Sequence, residues 1–393
     1  MFVPTEPTVR LRWLDGRDPG LPPWFADDEW IPQGRKELYA YGRTGVYAFL
    51  ENLDLNDGAA LVPAYVPESA VWPFRKAGLD IEYYPISESL SYPFDEVSDR
   101  IREVRPEVVL FTHYLGFADP NFRRLVDVAR EEGATVIEDC SRAAFSRDAD
   151  GRLLGSTGDA ALYSLHKTLP APNGGLLVTR GTAPVPPVEQ VSETSDLLTL
   201  AATTLIDSVD ARPFVRSLNG NGSYHSFEYH YDRISDPPAG AWPPKLPGWI
   251  SNVGFSHTSP REVQRTRRDL YERLRTRLES IEELTVLTPE AHEGACPYGV
   301  AVRLPGGHKR RETLYQALRK RGLPVTRYIW PLEEGKRVLE AYSATSVLRT
   351  STLVFPVHHQ MPDGTVDCLV SAIESELSAV GRSDVGSSAV DYL

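Results

Sequence analysis

Apolar positions along this chain follow two periods. Between residues 39 and 179, short β-branched and apolar runs alternate with stretches whose apolar positions recur every three to four residues. The runs predict strands over 59–63, 81–86, 108–114, 135–139, 160–166 and 175–179. The amphipathic stretches predict helices over 44–53, 68–77, 94–102 and 122–132, the last stopped by Gly133. Strand and helix in alternation imply the α/β class, with an open, mostly parallel sheet covered by helices on both faces. Further along, a charge-dense helix over 260–281 is followed by a strand at 299–304 and a helix at 310–321. Short strands at 325–329 and 352–355 and a closing helix at 362–379 complete a smaller α+β domain.

The segments outside these periods set the expected domain limits. Residues 1–38 carry Pro22-Pro23-Trp24 and Trp30-Ile31-Pro32 without a sustained period and read as an irregular packing arm. Residues 39–250 form the large domain, 251–380 the small one, and the Ser-rich stretch 381–393 a frayed tail. Within the large domain, 181–250 holds a helical piece at 188–209 and then a Gly-, Pro- and aromatic-rich loop over 219–247, where Tyr224, His225, Tyr229 and His230 are placed to cover a site. A loop of that length in a compact chain is usually functional.

Composition narrows the class. The 393 residues are 41% hydrophobic and 24% charged, so whole-chain disorder is excluded. Net charge is −12, from 42 basic and 54 acidic residues, which argues against duplex nucleic acid or an anionic membrane as partner. A small anion in a local basic pocket stays compatible with it. The apolar runs, such as Val108-Val109-Leu110-Phe111, fall far short of the ~20 residues that span a bilayer. The start of the chain has neither a basic nor an apolar signal region, so the cytoplasm is the expected compartment. Cys140, Cys296 and Cys368 form no C-x-x-C pair, and His358-His359 lacks ligating neighbours, so neither a disulfide framework nor a metal site is expected.

Two residues carry the chemical signal. Lys167 ends an apolar strand and enters the turn Thr168-Leu169-Pro170, a placement unlike that of a solvated surface lysine. Asp139 ends the strand Thr135–Asp139, and ligands of doubly wound sheets bind beyond the carboxyl ends of their strands. A desolvated lysine beside an aspartate suits pyridoxal phosphate: the amine bonds the cofactor aldehyde and the carboxylate keeps the pyridine nitrogen protonated. The alternative for Glu138-Asp139 is a strand-end cap. Tyr41-Gly42-Arg43-Thr44-Gly45 opens a helix with small residues whose amides can converge on a phosphate, with Thr44 and Ser164 adding hydroxyls. No G-x-G-x-x-G follows an early strand, which disfavours a nicotinamide enzyme.

Further motifs keep a common order along the chain. They are Gly42-Arg43-Thr44-Gly45, Val62-Pro63-Ala64-Tyr65, the stretch from His113 to Asp119, and Val136-Ile137-Glu138-Asp139. After them come Gly155-Ser156-Thr157-Gly158-Asp159, then Ser164, Lys167 and Gly174-Gly175, and a late strand from Ser351 to His358. On these motifs the chain, over roughly residues 39–380, resembles the DegT/DnrJ/EryC1/StrS family of sugar aminotransferases. The resemblance implies fold type I of the pyridoxal-phosphate enzymes and a homodimer whose subunits complete each other's sites. It implies Lys167 as the cofactor-bonding lysine, Asp139 as the ring-nitrogen partner, and Arg43, Thr44, Gly45 and Ser164 around the phosphate, with Asn252 reaching the partner's cofactor. Members with histidine at the lysine position act as dehydratases, so Lys167 favours transamination from an amino donor, glutamate, to a keto sugar carried on a nucleotide.

The departures from the family pattern are local. Ser164 and Lys167 stand three apart, Asn173 replaces an acid, and Val66-Pro67 follows Tyr65 where a ring-stacking aromatic is expected, leaving His113 and Tyr65 as candidates. Arg142 stands where glutamine is common; it would favour an acidic group near the cofactor or substrate. The alternatives are Arg142 pairing with Glu138 or another carboxylate, and His113 as a hydrogen-bonded core residue. Tyr65, Arg327 and Tyr328 are candidate substrate contacts, with a surface arginine as the alternative for Arg327. Rival functions are a lyase, racemase or dehydratase of the same fold, and a cofactor-binding protein without catalysis.

Overall fold

A computed structural model of the chain describes residues 3–55, 58–181, 247–328, 330 and 332–380. The expected helix at 188–209, the loop at 219–247 up to residue 246 and the tail at 381–393 lie outside the described residues. The large sheet contains β1 (Arg35–Tyr39), β2 (Ala59–Pro63), β3 (Asp80–Tyr84), β4 (Val108–Thr112), β5 (Thr135–Asp139), β6 (Ala160–Ser164) and β7 (Gly175–Thr179). Their spatial order is β1-β7-β6-β5-β4-β2-β3. Strands β3, β2, β4, β5 and β6 run parallel, whereas β7 is antiparallel to both β6 and β1. The central strands read Val-Val-Leu-Phe and Ala-Ala-Leu-Tyr because both of their faces are covered, and their side chains are buried throughout.

Helices α1 (Gly42–Leu50), α2 (Glu68–Lys76), α3 (Phe94–Val104) and α4 (Phe122–Glu131) cover the sheet. All six expected strands of this region form. The sequence reading placed no strand at 35–39; β1 alternates poorly, and its place is set by the five-residue register with β7.

Beyond the undescribed segment come α5 (Trp249–Ser256), α6 (Pro260–Glu279), β8 (Thr285–Val286), β9 (Gly299–Arg303) and α7 (Gly307–Lys320). The chain then forms α8 (Gly335–Ala341), α9 (Ser343–Ser351), β10 (Thr352–Pro356) and α10 (Thr365–Val380). Helix α6 starts where Ser259 accepts from the Glu262 amide (3.4 Å) with Pro260 at the first helical position. The small sheet is antiparallel, in the order β10-β9-β8. The strand expected at 325–329 is reduced to a single bridge between Thr326 and Val354. Helices α5, α8 and α9, of eight, seven and nine residues, were not expected from the sequence. Among the described residues no helix is long and apolar enough to cross a membrane.

Candidate active site

Parallel pairing of β4, β5 and β6 brings their carboxyl ends side by side. The His113 amide donates to the Asp139 carbonyl (3.0 Å) and the Cys140 amide to the Leu162 carbonyl (2.8 Å), so the chain leaves all three strands at one edge. Strand β6 runs straight into a 3-10 turn, Leu165–Lys167, and the Leu165 amide donates to the Gly174 carbonyl (2.7 Å). Lys167 thus stands above the same edge as Asp139. Asp139 is 6% exposed and accepts from the Ser141 amide (2.9 Å). A pocket opens there, with Tyr65, His113, Asp139, Arg142, Tyr328 and Trp330 in its wall.

The electrostatics of this edge prepare an amine for chemistry. Burial, and then the Arg142 charge, pull the Lys167 pKa from 10.5 down to about 7, against the opposing pull of Asp139 and Glu6. Neighbouring His166 is held to about 3 by burial and by Lys167, so it is neutral and plays no part as an acid. Arg267, on α6 and 1% exposed, donates from Nη2 to the carbonyls of Lys167 (3.1 Å) and Thr168 (3.2 Å), which fixes the turn from beneath.

Glu138, fully buried, anchors the floor. Its carboxylate accepts from the amides of Gly155 (2.9 Å), Thr157 (2.7 Å) and Gly158 (2.6 Å) and from His113 Nε2 (2.8 Å), with Arg180 at 3.5 Å. Burial works to raise its pKa, but His113, the Gly158 amide and Arg180 outweigh it and hold the carboxyl below its ordinary value. His113, Glu138 and Cys140 are close enough to suggest a metal set, yet hydrogen bonds already account for the Glu138 oxygens. His113 is therefore both the hydrogen-bonded residue of one reading and a pocket wall; its Nδ1 has no hydrogen-bond partner.

An anion cradle adjoins the lysine. The N-terminus of α1 follows Tyr41, and no side chain caps it. Gly42 and Gly175 let α1 press on the sheet: a Cβ on Gly175 would lie 2.2 Å from the Gly42 amide nitrogen. Thr44 and Ser164 are buried here, Gly45 packs on the Tyr39 ring, and Arg43 is close enough to bias both Lys167 and His166. Thr112 Oγ1, His113 Nδ1, Arg142 Nε and Thr352 Oγ1, all in pocket residues, are buried without hydrogen-bond partners. An uncapped helix start, a neutralisable amine and a strand-end carboxylate fit a phosphate, an aldehyde and a protonated ring nitrogen, so these residues suit pyridoxal phosphate.

Other expected contacts separate into near and far. Arg142 does not pair with Glu138; its guanidinium lies over the rings of Tyr328 (4.5 Å), Tyr298 (5.3 Å) and Trp330 (5.6 Å). Tyr65 donates to the Tyr328 carbonyl (3.0 Å) and packs on Trp330 at 4.6 Å. Arg327 pairs with Glu312 and lies over Tyr315, outside the pocket wall, because α7 offers it a carboxylate first. Asn252 bonds Asp18 (3.1 Å) on the exposed face of α5, away from the pocket of its own chain. Asn173, neutral where an acid is common, accepts from Ser251 (2.8 Å).

Sequence reasoning missed Glu6, Arg267, the Tyr298 ring beneath Arg142 and Trp330 in the pocket wall. Arg267 had a legible signal, since it falls on the buried stripe Val263, Arg267, Tyr271, Leu274 and Leu278 of α6. Glu6 had none, because its neighbourhood depends on long-range packing of the arm.

Comparison with known proteins agrees with the motif reading. The DegT/DnrJ/EryC1/StrS aminotransferase family is matched over residues 80–188. Serine hydroxymethyltransferase of Pyrococcus furiosus is 33% identical over 114 residues, covering 27% of this chain. The match spans about a quarter (26%) of that curated relative. The putative sugar aminotransferase Spr1654 from Streptococcus pneumoniae, in its PLP form, superposes with a TM-score of 0.65 at 14% identity, covering 90% of this chain and 89% of that one. The aminotransferase TlmJ from Streptoalloteichus hindustanus gives 0.62 at 19% identity, with 88% and 86% covered. The fold is that of the fold type I pyridoxal-phosphate enzymes.

Proposed function

We propose that this chain, which carries the DegT/DnrJ/EryC1/StrS family match on that family's fold, is a pyridoxal-phosphate-dependent aminotransferase. One observation carries the reading: an amine held at about pKa 7 stands beside Asp139, next to an uncapped helix start. The cofactor, when bound, supplies the electron sink. Arg43, Thr44, Gly45 and Ser164 would hold its phosphate, and Asp139 would keep its ring nitrogen protonated. Lys167 Nζ would condense with the aldehyde with loss of water and, once displaced by the amino donor, would be the base that moves a proton at the substrate carbon; at neutral pH much of it is already unprotonated. Arg267 keeps the Lys167 turn in place. His113, Tyr65 and Tyr328 bound the substrate side, and Asn252 serves the partner subunit of a cytoplasmic homodimer in this reading.

Glutamate is the amino donor in this reading and a nucleotide-linked keto sugar the acceptor; two of the structural neighbours are named as sugar aminotransferases. The match to serine hydroxymethyltransferase supports a second reading, a reaction on the same cofactor without amino transfer. The test separates them. Protein titrated with pyridoxal phosphate should develop a visible absorption band that Lys167→Ala lacks. Glutamate alone should then release 2-oxoglutarate in proportion to enzyme. A Lys167-dependent band with no 2-oxoglutarate favours the second reading, and no band refutes both.

A further inference from the structure

The N-terminal arm brings a carboxylate within electrostatic reach of Lys167 and of Arg142 in the pocket wall. Val3 donates to the Gly322 carbonyl (2.8 Å), the Pro4 carbonyl bonds His358 Nε2 (3.0 Å), and the Thr8 amide donates to Gln360 (2.9 Å). Between these fixed points Glu6 accepts from the Tyr298 hydroxyl (3.1 Å), within electrostatic reach of Lys167, Arg142 and Arg267. Burial raises its pKa, and those cations oppose the rise.

Arg142 itself lines the pocket. Its guanidinium packs on ring faces, which hold its plane but take up none of its in-plane N–H donors. Nε is buried without a hydrogen-bond partner, and none of the described carboxylates makes a direct ion pair with the group. Burial works against its charge, yet Tyr328, Tyr298, Glu6 and Asp139 together outweigh that effect, so it stays cationic. A planar fork, held flat with its edge unused in the pocket wall, matches a carboxylate in geometry and charge.

We propose that Arg142 determines specificity by anchoring a carboxylate of the substrate, and that Glu6 is the arm's counter-charge against which that carboxylate binds. Substrates lacking an anionic group leave the fork unpaired and are selected against. The proposal rests on this pocket being the substrate site.

Calorimetric titration with succinate, with propionate and with inorganic phosphate, on cofactor-loaded and cofactor-free protein, tests it. Arg142→Gln should weaken succinate binding roughly tenfold or more, and Arg142→Lys should restore part of it. Glu6→Gln should strengthen binding severalfold, because a like charge is removed; a purely structural arm contact would give a lower melting temperature and no gain. Succinate binding unchanged in Arg142→Gln overturns the proposal, as does phosphate binding more tightly than either carboxylate to the cofactor-loaded protein, in which the α1 cradle is already filled. Failure to load pyridoxal phosphate refutes the proposed function instead, and the cofactor-free titration still decides the role of Arg142.

Discussion

Replacing Lys167 by methionine removes a buried charge while keeping the length of the side chain, and the structure fixes how the effect must vary with pH. The folded-state pKa of about 7 lies below the ordinary 10.5, so between those values the unfolded chain binds more protons and stability rises with pH. Below about pH 7 the folded chain carries the full penalty of a charged, desolvated amine. Working the linkage with these two values gives a penalty of about 5 kcal/mol near pH 6, about 3 near pH 8 and about 1 near pH 10. These are ceilings, because water reaching a half-buried amine reduces the burial penalty. Lys167→Met should therefore stabilise the cofactor-free protein most in acid, with the gain shrinking steadily towards pH 10. Urea unfolding of both proteins at each pH measures it, since pH effects common to both cancel. A difference between them that stays flat with pH would refute the reasoning and place the amine in water. It would also remove the main physical ground for a reactive lysine.

Two further outcomes follow from contacts around the site. Glu138→Gln should destabilise the fold by about 3–5 kcal/mol, because a buried carboxylate that collects three amides, His113 and Arg180 is replaced by a neutral group that cannot satisfy them all. With the Glu138 pKa lowered on folding, the wild-type advantage in urea unfolding should be whole above the ordinary carboxylate range and shrink as pH falls through the folded value. Gly175→Ala should push the start of α1 off the sheet, since the added Cβ lies 2.2 Å from the Gly42 nitrogen, costing about 1–3 kcal/mol. Weaker pyridoxal phosphate binding with unchanged circular dichroism would confirm that the cradle moved and the fold did not.

Much of the architecture was legible because it depends on local pattern. Runs such as Val108-Val109-Leu110-Phe111, buried on both faces, can only be central strands, and their alternation with amphipathic helices leaves little freedom but a parallel sheet. Strand ends were legible too, so Asp139 and Lys167 could be paired before their neighbourhood was known. Strand β1, by contrast, is specified by its register with β7, which no local period reveals.

Chain order, strand direction and residue type, then, follow from the sequence alone, and with them the amine, the carboxylate and the helix start that define the site. The tertiary structure alone decided what surrounds each charge. It assigned Arg327 to Glu312, gave His113 and Arg180 to Glu138, stacked Arg142 among three rings, and brought Glu6 to Lys167 across more than a hundred and fifty residues of chain. Electrostatics act through space and depend on burial, whereas periodicity acts along the chain, so sequence pattern names the reactive groups and packing sets their charge.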